Sequence, residues 1–559
     1  MHDLVIENAS VIDGTGRPAF AGSVAVTGGR IAAVGKDVGA GRQRVDADGL
    51  SLMPGIIDNH THYDAQITWD PYASPSPALG VTTVVMGNCG FTIAPCRPDD
   101  RDLVMRNLTH VEGMSLDALR TGIQWEFETF PEYLDFLEGR GVGPNAAVFV
   151  GHSSVRTWAL RGDAAKRAAT PEEVAQMQAM VREAMAVGAV GFSTTTSLQH
   201  NGEAGIPMPS RLADDAEFDA LASTLAESGK GTLMITKNQA TPMARLEALS
   251  ALAGRPFIVA ALLHSNITPE QVFEDLASIG DARARGRRLY GAVSPCPLTF
   301  EFNFHAPYVL EGLASWLPAM EAHAGPAYRA LLASAEFRSK VKAEIATPTR
   351  RMFNGEWERM HVLMVKKPEH KHLEGMSVAR AAAQAGKHEL DFVLDLALAE
   401  DLDTMFIATL LNSDEAALTR MLTDDNALIS LSDAGAHLEF FCDAGAGLHM
   451  LGHWVRERGI MPIERAVRRL TSEPAEALGI PDRGRIAAGA WADLALFDPA
   501  TVGRGPAVRQ HDLPSGASRL VTPALGIHGV WVNGEQLANA EGLLPQAPLA
   551  GKVLRSFNS

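Results

Sequence analysis

The stretch Pro54-Gly55-Ile56-Ile57-Asp58-Asn59-His60-Thr61-His62 decides how the rest of the chain is read. It is an apolar strand candidate whose last residues can carry chemistry. Side chains alternate across a strand, so Asp58, His60 and His62 are expected to point the same way. An isolated His-x-His more often marks two solvated loop histidines, since histidine is a residue of intermediate burial. The elements around this stretch reverse that preference.

Leu52–His62 is the first of eight apolar strand candidates. The others are Val81–Asn88, Ala146–His152, Val190–Thr195, Gly231–Thr236, Phe257–His264, Arg288–Val293 and Ala427–Asp433. Helix signals fill the gaps. The clearest is Thr170-Pro171-Glu172-Glu173, a capping box with proline at the first helical position, followed by Val174, Met177, Val181 and Met185 on one face. Eight strands with helices between them predict an α/β fold, a (β/α)8 barrel whose active site lies at the C-terminal ends of the strands. The stretch from Pro295 to Asn426 is far too long for a loop and predicts an inserted helical subdomain, about residues 297–425, with helices over Ser377–Ala385 and Leu390–Glu400. Both chain ends read as short strands with turns. Leu4–Ile6, Val11–Ile12, Val24–Val26 and Ile31–Val34 open the chain, and Asp493–Phe497 and Gly529–Val532 lie near its end, before the turn Asn533-Gly534. Neither end suffices alone. Residues 1–51 and 484–559 are therefore expected to form one composite β-sandwich beside a barrel of residues 52–483.

The composition narrows the function. The 559 residues carry 49 basic and 66 acidic side chains, a net charge of −17, which disfavours nucleic-acid and anionic-membrane partners. Apolar residues at 46% and charged residues at 21% are the balance of a folded globular protein. The strongest apolar run, Phe257–Leu263, is far short of the ~20 residues that a membrane span requires. Cys89, Cys96, Cys296 and Cys442 are too few for a disulfide framework, and Met1–Asp3 leads straight into Leu4-Val5-Ile6 without a signal-like segment. A cytoplasmic location is expected, and a homo-oligomer is permitted.

Two imidazoles at the mouth of the first strand can share one divalent metal. Asp433, in Leu431-Ser432-Asp433-Ala434-Gly435-Ala436-His437, ends the eighth strand, which neighbours the first in a closed barrel. A carboxylate there can ligate the metal and accept a proton from water, or it can cap a following helix. His152 ends the third strand and either polarises a substrate carbonyl or is held by structural hydrogen bonds. His264 ends the sixth strand. Past the fourth strand, His200 reads as a surface-loop residue, whereas Arg211 and His437 are candidates for holding substrate.

Together these motifs resemble the amidohydrolase superfamily and, within it, the N-acyl-D-amino-acid deacylases. The matching elements are Pro54–His62, Gly80-Val81-Thr82-Thr83 leading to Gly87-Asn88-Cys89-Gly90, Gly191-Phe192-Ser193-Thr194 and Ser432-Asp433. Leu470-Thr471-Ser472-Glu473-Pro474-Ala475, Gly489-Ala490-Trp491-Ala492-Asp493-Leu494 and Asn533-Gly534 complete them. The resemblance implies a metal-dependent barrel hydrolysing a small linear amide. It makes His60, His62 and Asp433 metal ligands, Asp433 the general acid/base, and Cys89 and His264 further ligands. The chain departs from the pattern at strand five, which reads Leu233-Met234-Ile235-Thr236-Lys237-Asn238 and has no histidine. One tightly held Zn2+ and at most a weak second ion are expected, with Lys237 a plain cation near the substrate unless carboxylated. A lactone, carbamate or cyclic amide is the rival substrate class. The rival from another class is a non-catalytic barrel kept as a binding module.

Overall fold

The computed structural model describes every residue except 239–240, 323, 348, 350, 439–442 and 559, so Cys442 lies outside the described residues. Eight parallel strands form one sheet: β1 Ile56–Asp58, β2 Val81–Met86, β3 Asn145–Gly151, β4 Gly191–Thr195, β5 Thr232–Thr236, β6 Phe257–Ala260, β7 Leu289–Val293 and β8 Ala427–Ile429. Each pairs with the next in chain order. β2 and β3 are buried along their whole length, as strands covered on both faces by helices must be. The helix Pro171–Val187 carries the expected capping box, and Met177, Val181 and Met185 are its buried face.

β1 and β8 never form a ladder. They are joined by a seam just beyond their ends, where His62 N donates to Ala434 O at 2.8 Å and Asn59 Nδ2 donates to Ile429 O at 2.8 Å. Ser432 Oγ donates to Asp58 Oδ2 at 2.7 Å and reaches His60 O at 3.1 Å.

Several strands stop earlier than expected. β1 ends at Asp58 rather than His62, and β8 at Ile429 rather than Asp433. At β8 the cause is local: Leu431 and Asp433 take φ of 58° and 46°, in the left-handed region that breaks a ladder. β2 ends before Gly87, whose φ of 79° is coupled to tight packing, since a Cβ there would lie 2.6 Å from Phe149 O. Only glycine fits.

The insertion after β7 is not wholly helical. Leu298–Phe302, Met405–Leu411 and Met360–Met364 form a three-stranded antiparallel sheet, and helices including Gly325–Ala333, Val378–Ala385 and Glu389–Ala399 pack round it. Phe302, Phe304, Trp316, Phe337 and Phe406 give this unit its own apolar core. The strand Leu298–Phe302 was missed because its sequence, Leu-Thr-Phe-Glu-Phe, is short and follows two prolines.

Strands from both chain ends share a further sheet. His2–Val11 pairs its first half with Gly41–Asp46 and its last residues with Ser51–Pro54, which in turn pairs with Leu494–Phe497 from the far end of the chain. Leu4, Ile6, Val24, Leu52, Leu494 and Trp531 form its core. A buried polar knot joins this sheet to the barrel. Asp493 accepts from Asn533 N at 2.9 Å and Asn145 Nδ2 at 3.2 Å and pairs with the Arg483 guanidinium, while Asn533 Nδ2 donates to Asn145 Oδ1 at 2.9 Å. Asp493 and Asn533, both in matching motifs, thus act structurally. Asp493→Ala leaves the Arg483 charge buried without its carboxylate and should destabilise the protein by about 3–5 kcal/mol. Urea unfolding that matches the wild-type midpoint would contradict this role for the knot.

Candidate metal centre

The seam between β1 and β8 sets the site. By pinning His60 O and His62 N to Ser432 and Ala434, it brings both imidazoles to Asp433. His60 Nε2 lies 3.3 Å from Asp433 Oδ1, and His62 Nε2 lies 3.6 Å from the same oxygen. Cys89 reaches them from the turn after β2. Its φ of 57° places Sγ 3.5 Å from His60 Nε2 and 3.1 Å from Thr236 Oγ1 at the end of β5. Non-glycine residues in this conformation are uncommon and concentrate at functional sites.

These separations test whether a metal fits. A tetrahedral zinc with Zn–N and Zn–O near 2.0–2.2 Å and Zn–S near 2.3 Å implies donor–donor edges of about 3.3–3.6 Å. The three measured separations fall in that window. The donor types, two imidazoles, a thiol and a carboxylate, also suit zinc. His60, His62, Cys89 and Asp433 are the residues that would hold it.

Electrostatics favour a cation in this position. Burial pushes the pKa of His60 down to about 4, so its ring is neutral. Burial also opposes charge on His62, but Glu112, Asp433 and the Cys89 thiol outweigh it and raise that imidazole well above its ordinary pKa. Burial disfavours the Asp433 carboxylate, yet His62 and His60 hold it well below the usual range. Glu112, just past the helix Arg101–Val111, lies 3.0 Å from His62 Nδ1. A carboxylate at that nitrogen keeps the proton there and leaves Nε2 facing the other donors. No sequence signal marks Glu112, because its partner lies fifty residues earlier.

Other expected residues are placed differently. His152 opens the helix His152–Leu160 rather than ending a strand, and it is fully buried. Its Nδ1 is 2.8 Å from Thr194 Oγ1 and its Nε2 is 2.8 Å from Glu217 Oε1, which also pairs with Arg156. With both nitrogens engaged, His152 is structural and does not polarise a substrate carbonyl. His264 does not join the cluster either. Beyond β6, Ala261 and Leu263 line the cavity in front of the donors, whereas Leu262 faces the core and the His264 ring lies 6.3 Å from that of Phe273, with its backbone N–H donating to Asn412 Oδ1 at 2.7 Å. Alternation along the chain put the histidine on the wrong side. Lys237 lines the same cavity, but its ammonium is 2.9 Å from the buried Asp275 carboxylate. Carboxylation would replace that cation by an anion beside Asp275, so the pairing suits Lys237 as a plain cation rather than as a bridging ligand. Arg211 stands back from the cavity, donating to His200 O at 3.1 Å and to the Asn201 side chain. His437 does line the cavity, and its ring lies 5.9 Å from that of Tyr308.

His200, expected on the surface, forms part of the cavity wall. Thr195 Oγ1 donates to Thr236 O, so it accepts from His200 Nδ1 at 2.8 Å. The remaining nitrogen, Nε2, therefore carries a lone pair. Burial, with His62 and His437 nearby, lowers the pKa of His200 to about 3 and keeps it neutral.

A barrel that gathers histidines, a cysteine and an aspartate at the C-terminal ends of its strands has the architecture of a metal-dependent hydrolase. The amidohydrolase family profile matches residues 43–538, and the chain belongs to that family. It is 29% identical to D-aminoacylase of Alcaligenes xylosoxydans xylosoxydans, over 99% of this chain and 97% of that protein. The crystal structure of a D-aminoacylase, 25% identical, superposes with a TM-score of 0.69, and both chains are fully covered. The N-acyl-D-glutamate deacylase of Bordetella bronchiseptica, solved with zinc and a phosphonate mimic of the tetrahedral intermediate, is 26% identical. It superposes with a TM-score of 0.67 over 99% of this chain and all of that one.

The placement of the histidines separates two variants. After dialysis, His60→Ala should lose most of its metal by elemental analysis, whereas His264→Ala should keep the wild-type complement. Loss of metal from His264→Ala with His60→Ala fully loaded would reverse the assignment.

Proposed function

We propose that the chain is a zinc-dependent deacylase of linear N-acyl compounds, with N-acyl amino acids as the substrate class. The observation that carries this reading is the grouping of His60, His62 and Cys89, with Asp433 beside both imidazoles and opening onto a cavity of about 270 Å3. Its walls include apolar Leu263, Phe300, Met352 and Leu411, suited to an acyl chain, alongside polar groups such as His200 and Asn238. The deacylase activities of the relatives and the zinc in one of them support the same reading.

When bound, a divalent ion supplies Lewis-acid polarisation of a carbonyl and acidification of water. The chain's own residues supply the rest. Asp433 has 24% of its side chain exposed, against 2% for His60 and 5% for His62. It can therefore reach both the donors and a substrate in the cavity, accepting the proton of the attacking water and returning it to the leaving nitrogen. His200 Nε2, an acceptor at the cavity wall, is suited to take a hydrogen bond from the substrate amide N–H. Glu112 keeps the His62 ring from turning.

One ion is the expected complement. Thr236 stands at the end of β5 beside Cys89, and the His264 ring packs near Phe273 outside the donor group. Among the described residues this leaves no donor set for a second tight site. For the metal-loaded enzyme assayed by release of free amine from N-acyl-D-amino acids, Asp433→Asn should lower kcat by about 10²–10⁴-fold. Turnover of this variant at the wild-type rate would assign proton transfer elsewhere.

A further inference from the structure

The cavity above the metal donors does not end at Tyr308. Tyr308, Gln199 and Met352 line both that cavity and a narrow continuation, which runs on past Glu311 into a further space of about 110 Å3 between the insertion and the loop after β4. Tyr308 and Glu311 face this passage together for a reason of local geometry. Tyr308–Leu310 is a 3-10 turn, and Glu311 N donates to Tyr308 O at 3.2 Å. In such a turn, side chains three residues apart lie one above the other. The two are electrically linked along the same line, for Tyr308 is influenced first, after burial, by Glu311 and then by Glu112 and Asp433.

The charges along the cavity and the passage are unequal in their commitments, and His110, which lines the passage with Glu311, is itself engaged. Lys237 is paired with Asp275. Arg351 holds Glu344 Oε1 at 3.2 Å, Glu344 O at 2.6 Å, Thr347 O at 2.8 Å and Asn354 Oδ1 at 3.2 Å, so almost all its donors are used. Glu311 is the opposite case. Among the described residues no donor or cation meets its carboxyl, and burial alone raises its pKa to about 7. A partly buried carboxyl without a protein partner in a walled passage beside an active site is a ready counter-ion for a cation that enters.

We propose that this passage is a subsite for a cationic arm of the substrate, an ammonium or guanidinium group, with Glu311 as its counter-ion. The inference rests on the deacylase reading for the position of the scissile bond at Asp433. An arm running from that bond past Tyr308 reaches Glu311, where its N–H groups make charge-assisted hydrogen bonds to the carboxylate. Gln199 and the Tyr308 ring line the way, the latter offering an aromatic face to a cation. Glu311 thus sets which substrates are favoured and takes no part in bond cleavage.

Two matched pairs test the subsite, one for each side of the amide: Nα-acetyl-D-lysine against N-acetyl-D-norleucine, and 6-aminohexanoyl-D-leucine against hexanoyl-D-leucine. The readout is the ratio of kcat/KM within each pair, measured on the metal-loaded enzyme and on Glu311→Gln. Wild type should favour the cationic member of at least one pair by roughly tenfold or more, the range of a hydrogen bond to a charged group. Glu311→Gln should bring that ratio close to one. Calorimetric binding of the same pairs gives the ratio without turnover. A binding preference that Glu311→Gln abolishes supports the subsite even if nothing is cleaved, an outcome in which the deacylase reading alone fails. Equal ratios in wild type for both pairs, or a cationic preference that survives in Glu311→Gln, overturns it.

Discussion

The site depends on how the barrel closes. Seven of its eight strand-to-strand junctions are parallel ladders, and the eighth, between β1 and β8, is made by individual hydrogen bonds from His62, Asn59 and Ser432. A regular ladder would have continued the strands and carried the side chains away in alternation. The broken one lets Leu431 and Asp433 turn through left-handed conformations and sets the Asp433 carboxylate against two imidazoles from the opposite side of the seam. The strained backbone and the clustered polar groups are therefore one feature. Three of their separations, from Asp433 to each imidazole and from Cys89 to His60, match the donor edges of a single ion.

Around that seam the chain divides its work. The barrel supplies the donors, and Glu112, from the far end of a helix, holds one of them in orientation. The insertion supplies a large share of the wall above, through Leu298, Phe300, Tyr308, Arg351, Met352 and Leu411. Because this unit carries its own aromatic core, its cavity-facing residues can vary without disturbing the barrel. The candidate donors and much of the wall above them thus belong to different packing units. Among the described residues the terminal sheet contributes neither to the donor group nor to the cavity lining, and its most distinctive residues, Asp493 and Asn533, are consumed in the knot with Asn145 and Arg483.

The strands and the central donors were legible because both announce themselves locally: apolar runs of fixed length, then His60-Thr61-His62 and Ser432-Asp433 at their ends. Strand ends were not, since Leu431 carries no sign of its positive φ. His264 and His152 show how little error is needed. A parity difference past Ala260 left Leu263 rather than His264 on the cavity, and a strand ending at Gly151 put the other histidine at a helix start. Glu112, His200 and Glu311 matter through neighbours distant in the chain, to which spacing gives no access. His200 was judged a surface residue because the Thr195 hydroxyl that holds its ring has no motif.

The pairing of Ser51–Pro54 with Leu494–Phe497 has a consequence for how the molecule comes into being. The edge on which the first barrel strand is hung belongs to a segment synthesised more than four hundred residues later. During synthesis, β1 and its two histidines emerge early and remain without either of their final neighbours at the seam. Contacts of such separation slow folding, because the intervening chain must be ordered before they form. The candidate donors from the two sides of the seam are therefore united late, and a nascent chain that bound a metal through His60 and His62 alone would hold it without the carboxylate beside them.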